Sequence, residues 1–121
     1  MLHEKPLTWD AARSVLNKQT GAPWLRIDMR GSRRLDERVR LRFRYRLSGG
    51  KSLKLALVDS KTKTAYRTAA TGLKTDKWSE TSVDFRIPAA DGDLYADEIH
   101  LLLEAGAELL VDDLLLYVPG D

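Results

Sequence analysis

The residues of this chain best equipped for chemistry are five arginines at alternate positions, Arg38, Arg40, Arg42, Arg44 and Arg46. A planar guanidinium holds a carboxylate, sulfate or phosphate through two parallel hydrogen bonds, so a row of them is suited to anion recognition. The interleaved residues Val39, Leu41, Phe43, Tyr45 and Leu47 are all apolar or aromatic. A period of two sends the two sets to opposite faces of one β-strand. Neighbouring arginines on such a face lie about 6.7 Å apart and repel by roughly 0.6 kcal/mol at water-like dielectric. Either an anionic partner or the protein's own acids must offset that repulsion.

Other chemistries find little support. The chain has no cysteine and only two histidines, His3 and His100, and no glycine-rich loop opens a helix. Thiol nucleophiles, histidine-rich metal spacings and phosphate cradles are therefore excluded. Asp97-Glu98 and Asp112-Asp113 are adjacent pairs in strand-like segments, so their carboxylates point to opposite faces and do not flank a substrate as acid and base. No enzymatic activity is expected, and no cofactor is required.

The net charge of +2 hides a strong asymmetry. Residues 1–86 carry 20 Lys plus Arg against 9 acids, and residues 87–121 carry 9 acids and no Lys or Arg, giving +11 and −9. Because the acids sit inside strand-like patterns, the two segments are expected to neutralise each other on folding. The basic balance then argues for neither nucleic acid nor membrane as partner. The N-terminal Met1-Leu2-His3-Glu4-Lys5-Pro6 has no apolar signal core, and no run approaches the roughly 18 apolar residues of a membrane helix. At 121 residues, the chain is long enough for one core without staples, so residues 1–121 read as a single domain.

The elements that must position these residues are mostly strands. Trp24 to Arg30 alternates Leu25, Ile27 and Met29 against Trp24, Arg26, Asp28 and Arg30. After the arginine strand, Ser48-Gly49-Gly50-Lys51 has the composition of a tight hairpin turn. Ser52 to Asp59 alternates around Leu53, Leu55 and Leu57, Asp59 to Lys63 reads as a hairpin loop, and Thr64 to Ala70 as an edge strand. Trp78 to Ile87, Ala96 to Glu104 and Glu108 to Val118 complete the set. The last is apolar at both parities, which predicts a central strand with a register shift at Asp112-Asp113. Only Thr8 to Leu16 suggests a short N-terminal helix, with Thr8 as its N-cap. Seven or eight short strands joined by turns predict an all-β antiparallel sandwich or jelly roll.

Read together, Leu41 to Leu47, Leu53 to Asp59, the turn Leu73-Lys74-Thr75-Asp76-Lys77 leading to Trp78, Asp97-Glu98-Ile99, and Leu110 to Tyr117 resemble a galactose-binding-like jelly roll. That fold is shared by many carbohydrate-binding modules and by accessory domains of large bacterial extracellular proteins. The resemblance covers roughly Trp24 to Tyr117. It implies a non-catalytic carbohydrate-binding accessory module, with acidic polysaccharide as one ligand class. A structural or protein-interaction domain of a larger protein is the alternative it leaves open. It also implies an extracellular or periplasmic setting where the parent protein is exported.

The resemblance places the arginine strand between the last strand and the Trp-led strand, so that Glu80 and Asp84 stand beside the arginines. It places a ligand groove on the other sheet, whose outward residues are Trp24, Arg26, Asp28, Lys54, Ala56, Val58, His100 and Leu102, with Tyr66 and Tyr95 near the rim. Of these, Trp24, Arg26, Asp28, Lys54, Tyr66 and His100 are the candidate ligand contacts, since flat aromatics with neighbouring polar groups suit sugar rings and hydroxyls. Trp9 and Trp78 are expected in the core. Asp112 is the candidate ligand of a structural calcium, joined by Glu4 and Asp10, although that ion takes six to eight oxygens.

Overall fold

Alternating apolar residues dictate strands, and a computed structural model arranges them as two antiparallel sheets around one core. The structure describes residues 7–9, 12–16, 21–90 and 92–119. The strands are β1 (Leu7–Trp9), β2 (Ala12–Arg13), β3 (Val15–Leu16), β4 (Pro23–Leu35), β5 (Arg38–Ser48), β6 (Leu53–Asp59), β7 (Thr64–Ala70), β8 (Ser79–Arg86), β9 (Leu94–Leu103) and β10 (Glu108–Tyr117). The first sheet runs β1-β10-β5-β8, with β2 also pairing β10, and the second runs β3-β4-β9-β6-β7. This is the predicted all-β sandwich of jelly-roll type.

β5 keeps its alternation without a break. Val39, Leu41, Phe43, Tyr45 and Leu47 are all buried, against the inward residues of the second sheet such as Leu25, Leu55, Leu57, Ile99 and Leu101. Burial of one such side chain contributes about 1.5–3 kcal/mol, so this face anchors the strand far more firmly than surface charge can. β10 is central, and its register with β5 shifts between Asp112 and Leu115, as its apolar residues at both parities predict. Asp113 takes a left-handed φ of 50°, and the Asp112 carboxylate accepts the Asp113 backbone N–H at 2.8 Å. A similar shift interrupts β4 between Asp28 and Arg33, where Arg30 has φ 59° and donates its N–H to Asp28 Oδ1 at 2.8 Å.

Two local expectations give way to long-range pairing. The described residues of the expected helix, 8–9 and 12–16, form strands instead: β1 pairs with Thr8 opposite Leu115, β2 with Ala12 opposite Val111, and β3 with Val15 opposite Trp24. A nine-residue helix is marginal in water, whereas strand addition satisfies the open edges of β10 and β4 at once. The Ser48–Lys51 turn is also not a hairpin, because β5 and β6 belong to different sheets. Pairing them would set Leu53, Leu55 and Leu57 beside the β5 apolar face, where the sandwich needs them across the core from it. The turn instead carries the chain over the sandwich edge. The Glu104 carboxylate clamps it, accepting the backbone N–H of Lys51 at 3.2 Å and of Ser52 at 3.1 Å, and the Ser52 hydroxyl at 2.7 Å.

That crossing needs glycine at position 49. Gly49 has φ +79°, and a Cβ there would lie 3.0 Å from the Gly106 carbonyl oxygen. Gly106 has nearly the same φ, +80°, with open space around it. Gly49→Ala is expected to lose about 1–3 kcal/mol of unfolding free energy, and more than Gly106→Ala, since only the first adds a clash with backbone to the conformational strain. Urea denaturation of the two variants beside the parent protein checks the ranking; equal losses would show that the crossing can shift to admit a side chain.

Candidate functional site

Antiparallel register fixes what shares the outward face of the second sheet. Trp24 on β4 stands opposite Leu102 on β9, which stands opposite Lys54 on β6 and then Ala69 on β7. The next row is Arg26, His100, Ala56 and Arg67, and the third is Asp28, Glu98, Val58 and Ala65. At a strand spacing of about 4.8 Å, the face from β4 to β7 is roughly 14 Å wide. Five of the six candidate contacts, Trp24, Arg26, Asp28, Lys54 and His100, are thus gathered on one surface.

Tyr66 is the exception. It pairs with Leu57 and belongs to the core, 9% exposed, because position 66 shares the inward parity of β7 with Ala70. The sequence of β7 alternates too weakly for its inward face to be recognised. Tyr95, 40% exposed, lies opposite Arg34 at the far end of the sheet.

A hydrogen-bonded chain organises the middle of this face. Arg26 Nη2 donates to Glu98 Oε2 at 2.5 Å, and the other Glu98 oxygen lies 2.8 Å from His100 Nε2. His100 in turn meets the Trp24 ring edge to face, with centroids 4.9 Å apart and planes at 81°. The Arg26 guanidinium holds the Glu98 carboxyl at about 2, well below its ordinary 4.5, against a smaller opposing effect of burial; His100 helps. Glu98 in return raises the affinity of Arg26 for its proton. Glu98 was not among the candidate ligand contacts, although its spacing of two from His100 places both on one face. A cleft of about 290 Å³ opens beside this group, lined by Ala22, Pro23, Ser52, Lys54, Leu102, Leu103 and Glu104. An orientated indole, a polar chain beside it and two flanking cations, Lys54 and Arg67, can stack a ring and hydrogen-bond its substituents.

The outward face of the first sheet is occupied differently. Arg40 makes a two-point contact with Asp84, Nε to Oδ1 at 2.7 Å and Nη2 to Oδ2 at 3.2 Å, and Arg38 Nε lies 3.2 Å from the same carboxylate. The Asp84 carboxyl is lowered chiefly by Arg40. Arg42 reaches Glu80 at 3.8 Å and Arg44 reaches Asp113 at 3.6 Å, while Arg46 has no ion pair among the described residues. Glu80 and Asp84 thus take the places beside the arginines that the resemblance assigned them. The two charge blocks neutralise each other only in part, through pairs such as Arg26 with Glu98 and Arg34 with Asp93 at 3.9 Å. Asp36, Glu80 and Asp84 add pairs from within the basic block.

Two further expectations can be placed. Trp78 is not core: it is 42% exposed, with the Arg44 guanidinium carbon 5.5 Å from its ring centre. It lies one residue beyond the last β5–β8 pair, Tyr45 with Ser79, where the sandwich ends and no facing sheet covers it. The side chain of Trp9 lies outside the described residues, as do Glu4 and Asp10. Among the described residues no three His, Asp or Glu side chains converge, and the Asp112 carboxylate accepts the Asp113 backbone N–H at the bulge.

The pH dependence of the Glu98 chain follows from its sign. Its folded value lies below its unfolded one, so its contribution is complete above about pH 4.5 and is lost as the pH falls toward 2. With Arg26 about half exposed, that contribution is on the order of 1 kcal/mol. Glu98→Gln is expected to flatten the acid limb of stability by this amount and leave the part owed to Asp84 and Asp97, which are lowered in the same direction by Arg40 and Ser60. Unfolding by urea at stepped pH measures it; an unchanged acid limb would show that the chain adds nothing in solution.

No family profile matches the chain, and no curated protein sequence matches it. The fold is nonetheless shared with solved structures. A variant of a family 29 carbohydrate-binding module, studied for its mechanism of ligand recognition, aligns over 97% of this chain and 84% of its own, at 17% identity and a TM-score of 0.56. A second variant of a family 29 module covers 92% of this chain and 78% of its own, at 12% identity and a TM-score of 0.57. These similarities give the chain the jelly-roll fold of carbohydrate-binding modules.

Proposed function

We propose that this domain is a non-catalytic glycan-binding module, carried as an accessory domain of a larger exported protein, and that it binds on the outward face of the β3-β4-β9-β6-β7 sheet. The Arg26–Glu98–His100–Trp24 chain carries the reading. An indole fixed by a histidine, which is itself fixed by an ion pair, loses little freedom when a sugar ring stacks on it, and such preorganisation is where weak binders gain affinity. The polar groups beside it have capacity left for hydroxyls. The fold similarity to carbohydrate-binding modules supports the same reading.

An acidic polysaccharide suits the face better than a neutral one. Lys54 and Arg67 lie diagonal to each other on β6 and β7, at Lys54–Ala69 and Ala56–Arg67, and neither has an ion pair among the described residues. They would receive carboxylates of a chain whose ring lies on Trp24.

Affinity electrophoresis through neutral and acidic polysaccharides tests the proposal. Retardation by at least one glycan is expected, and Trp24→Ala should weaken it tenfold or more, equivalent to about 1.4 kcal/mol. No retardation by any glycan, or full retention in Trp24→Ala, would overturn it. A stable dimer by light scattering, with Trp24, Val58 and Leu102 protected in its interface, would assign the face to protein interaction instead.

A further inference from the structure

The loop from Thr71 to Trp78 joins the two sheets and is pinned at four points. Leu73 N–H donates to the Lys51 carbonyl at 2.9 Å, Lys74 N–H to the Tyr45 hydroxyl at 3.0 Å, Asp76 N–H to the Leu47 carbonyl at 2.8 Å, and the Ser48 hydroxyl to Asp76 Oδ1 at 3.0 Å. Leu73 is buried beneath it. A loop tied this closely could turn its tryptophan inward, yet it leaves Trp78 at the surface. Arg44 braces the ring at 5.5 Å. Beside the ring a cleft of about 360 Å³ is lined by Tyr45, Lys74, Lys77, Ser79, Glu80 and Thr81, among others.

The charge of this end follows from the stripe. Ion pairing weakens along β5, from 2.7 Å at Arg40 to 3.8 Å at Arg42 and 3.6 Å at Arg44, and Arg46 has none among the described residues. Lys74 and Lys77 are exposed, also without ion pairs among the described residues. The acid of the cleft, Glu80, is shared with Arg42. Asp76, two residues before Trp78, is the other acid of this end, with its Oδ1 held by the Ser48 hydroxyl, and Arg46, Lys74 and Lys77 are the cations there without ion pairs among the described residues.

We infer that the Trp78 cleft is a second binding site, for an anionic sugar unit. The indole takes the C–H face of the ring, and Lys74 and Lys77 take its carboxylate or sulfate. This rests on the reading of the domain as glycan-binding, but at a different surface: Trp78 belongs to the end of the β5–β8 sheet and Trp24 to the opposite sheet. The two sites would let one module hold a chain at two points, or two chains at once.

Two-dimensional NMR titration of the whole domain separates the sites, with the indole N–H signals assigned by Trp24→Ala and Trp78→Ala. The probes are oligogalacturonate for carboxylate, heparin oligosaccharide for sulfate, and fully methyl-esterified oligogalacturonate as the uncharged control. The expected result is movement of the Trp78 indole and the Lys74 and Lys77 amides with at least one charged probe and not with the esterified one. Raised salt should weaken it, and Lys74→Gln with Lys77→Gln should weaken it about tenfold at an unchanged melting temperature. That double variant keeps the ring, so it separates charge recognition from any effect of Trp78→Ala on folding. Movement confined to Trp24 and His100 overturns the second site and leaves the glycan reading intact. Movement at Trp78 that persists in Trp24→Ala supports the second site, whatever becomes of the first. No movement with any probe overturns the second site and leaves the glycan reading to the electrophoresis, and a DNA oligonucleotide that binds the cleft more tightly than either glycan overturns the assignment to sugars.

Discussion

The structure depends on β5 being two strands' worth of constraint in one. Its apolar face, Val39 through Leu47, is fully enclosed by the opposite sheet, which forces the five arginines outward together. A strand so placed must be central, because an edge position would leave both its backbone groups and its row of cations unpartnered. β8 and β10 meet both needs. They complete the hydrogen-bond ladders, and they bring Glu80, Asp84 and Asp113 to the arginines. Exposed ion pairs of this kind contribute about 0–1 kcal/mol each, so they do not hold the sheet together. What they do is remove the repulsion that would otherwise oppose the register that the core demands.

Period-two alternation made most of this legible, since burial on one face leaves a mark at every second residue. β5, β8, β9 and the first half of β4 follow their patterns, and even the β10 irregularity shows as apolar residues of both parities around Asp112-Asp113. Legibility failed where partners are distant in sequence. Thr8 to Leu16 has a locally plausible helix signal, and only the open edges of β4 and β10 make strands the better outcome. Ser48-Gly49-Gly50-Lys51 is turn-forming in either topology, and nothing in it says whether the next strand pairs or crosses.

The candidate site divides in the same way. The outward row Trp24, Arg26, Asp28, with Lys54 and His100, could be placed on one face because each strand's parity is strong. Tyr66 failed because β7 carries small or polar residues on both faces. Trp78 failed because it precedes its strand, so parity does not apply to it, and the usual preference of tryptophan for burial filled the gap. The link from Arg26 through Glu98 to His100 needed the alignment of β4 with β9, which a shift between Asp28 and Arg33 interrupts.

The same pairing, arginine with carboxylate, has opposite consequences on the two outer faces. On the β5–β8 sheet Asp84 is shared by two arginines, and its charge is consumed in closing the surface against itself. On the other sheet Glu98 is held by one arginine and spends its second oxygen on His100, which passes the constraint to an aromatic ring. The difference lies in stoichiometry. A carboxylate held by two guanidinium groups, as Asp84 is, has little left to offer, whereas Glu98, held by one, keeps an oxygen with which to position a neighbour. A face of the second kind can be preorganised without being closed, which is the property a binding surface needs. At the far end of β5 the ion pairs lengthen, Arg44 turns to Trp78 as well as Asp113, and the closed face gives way to an open one on the same strand.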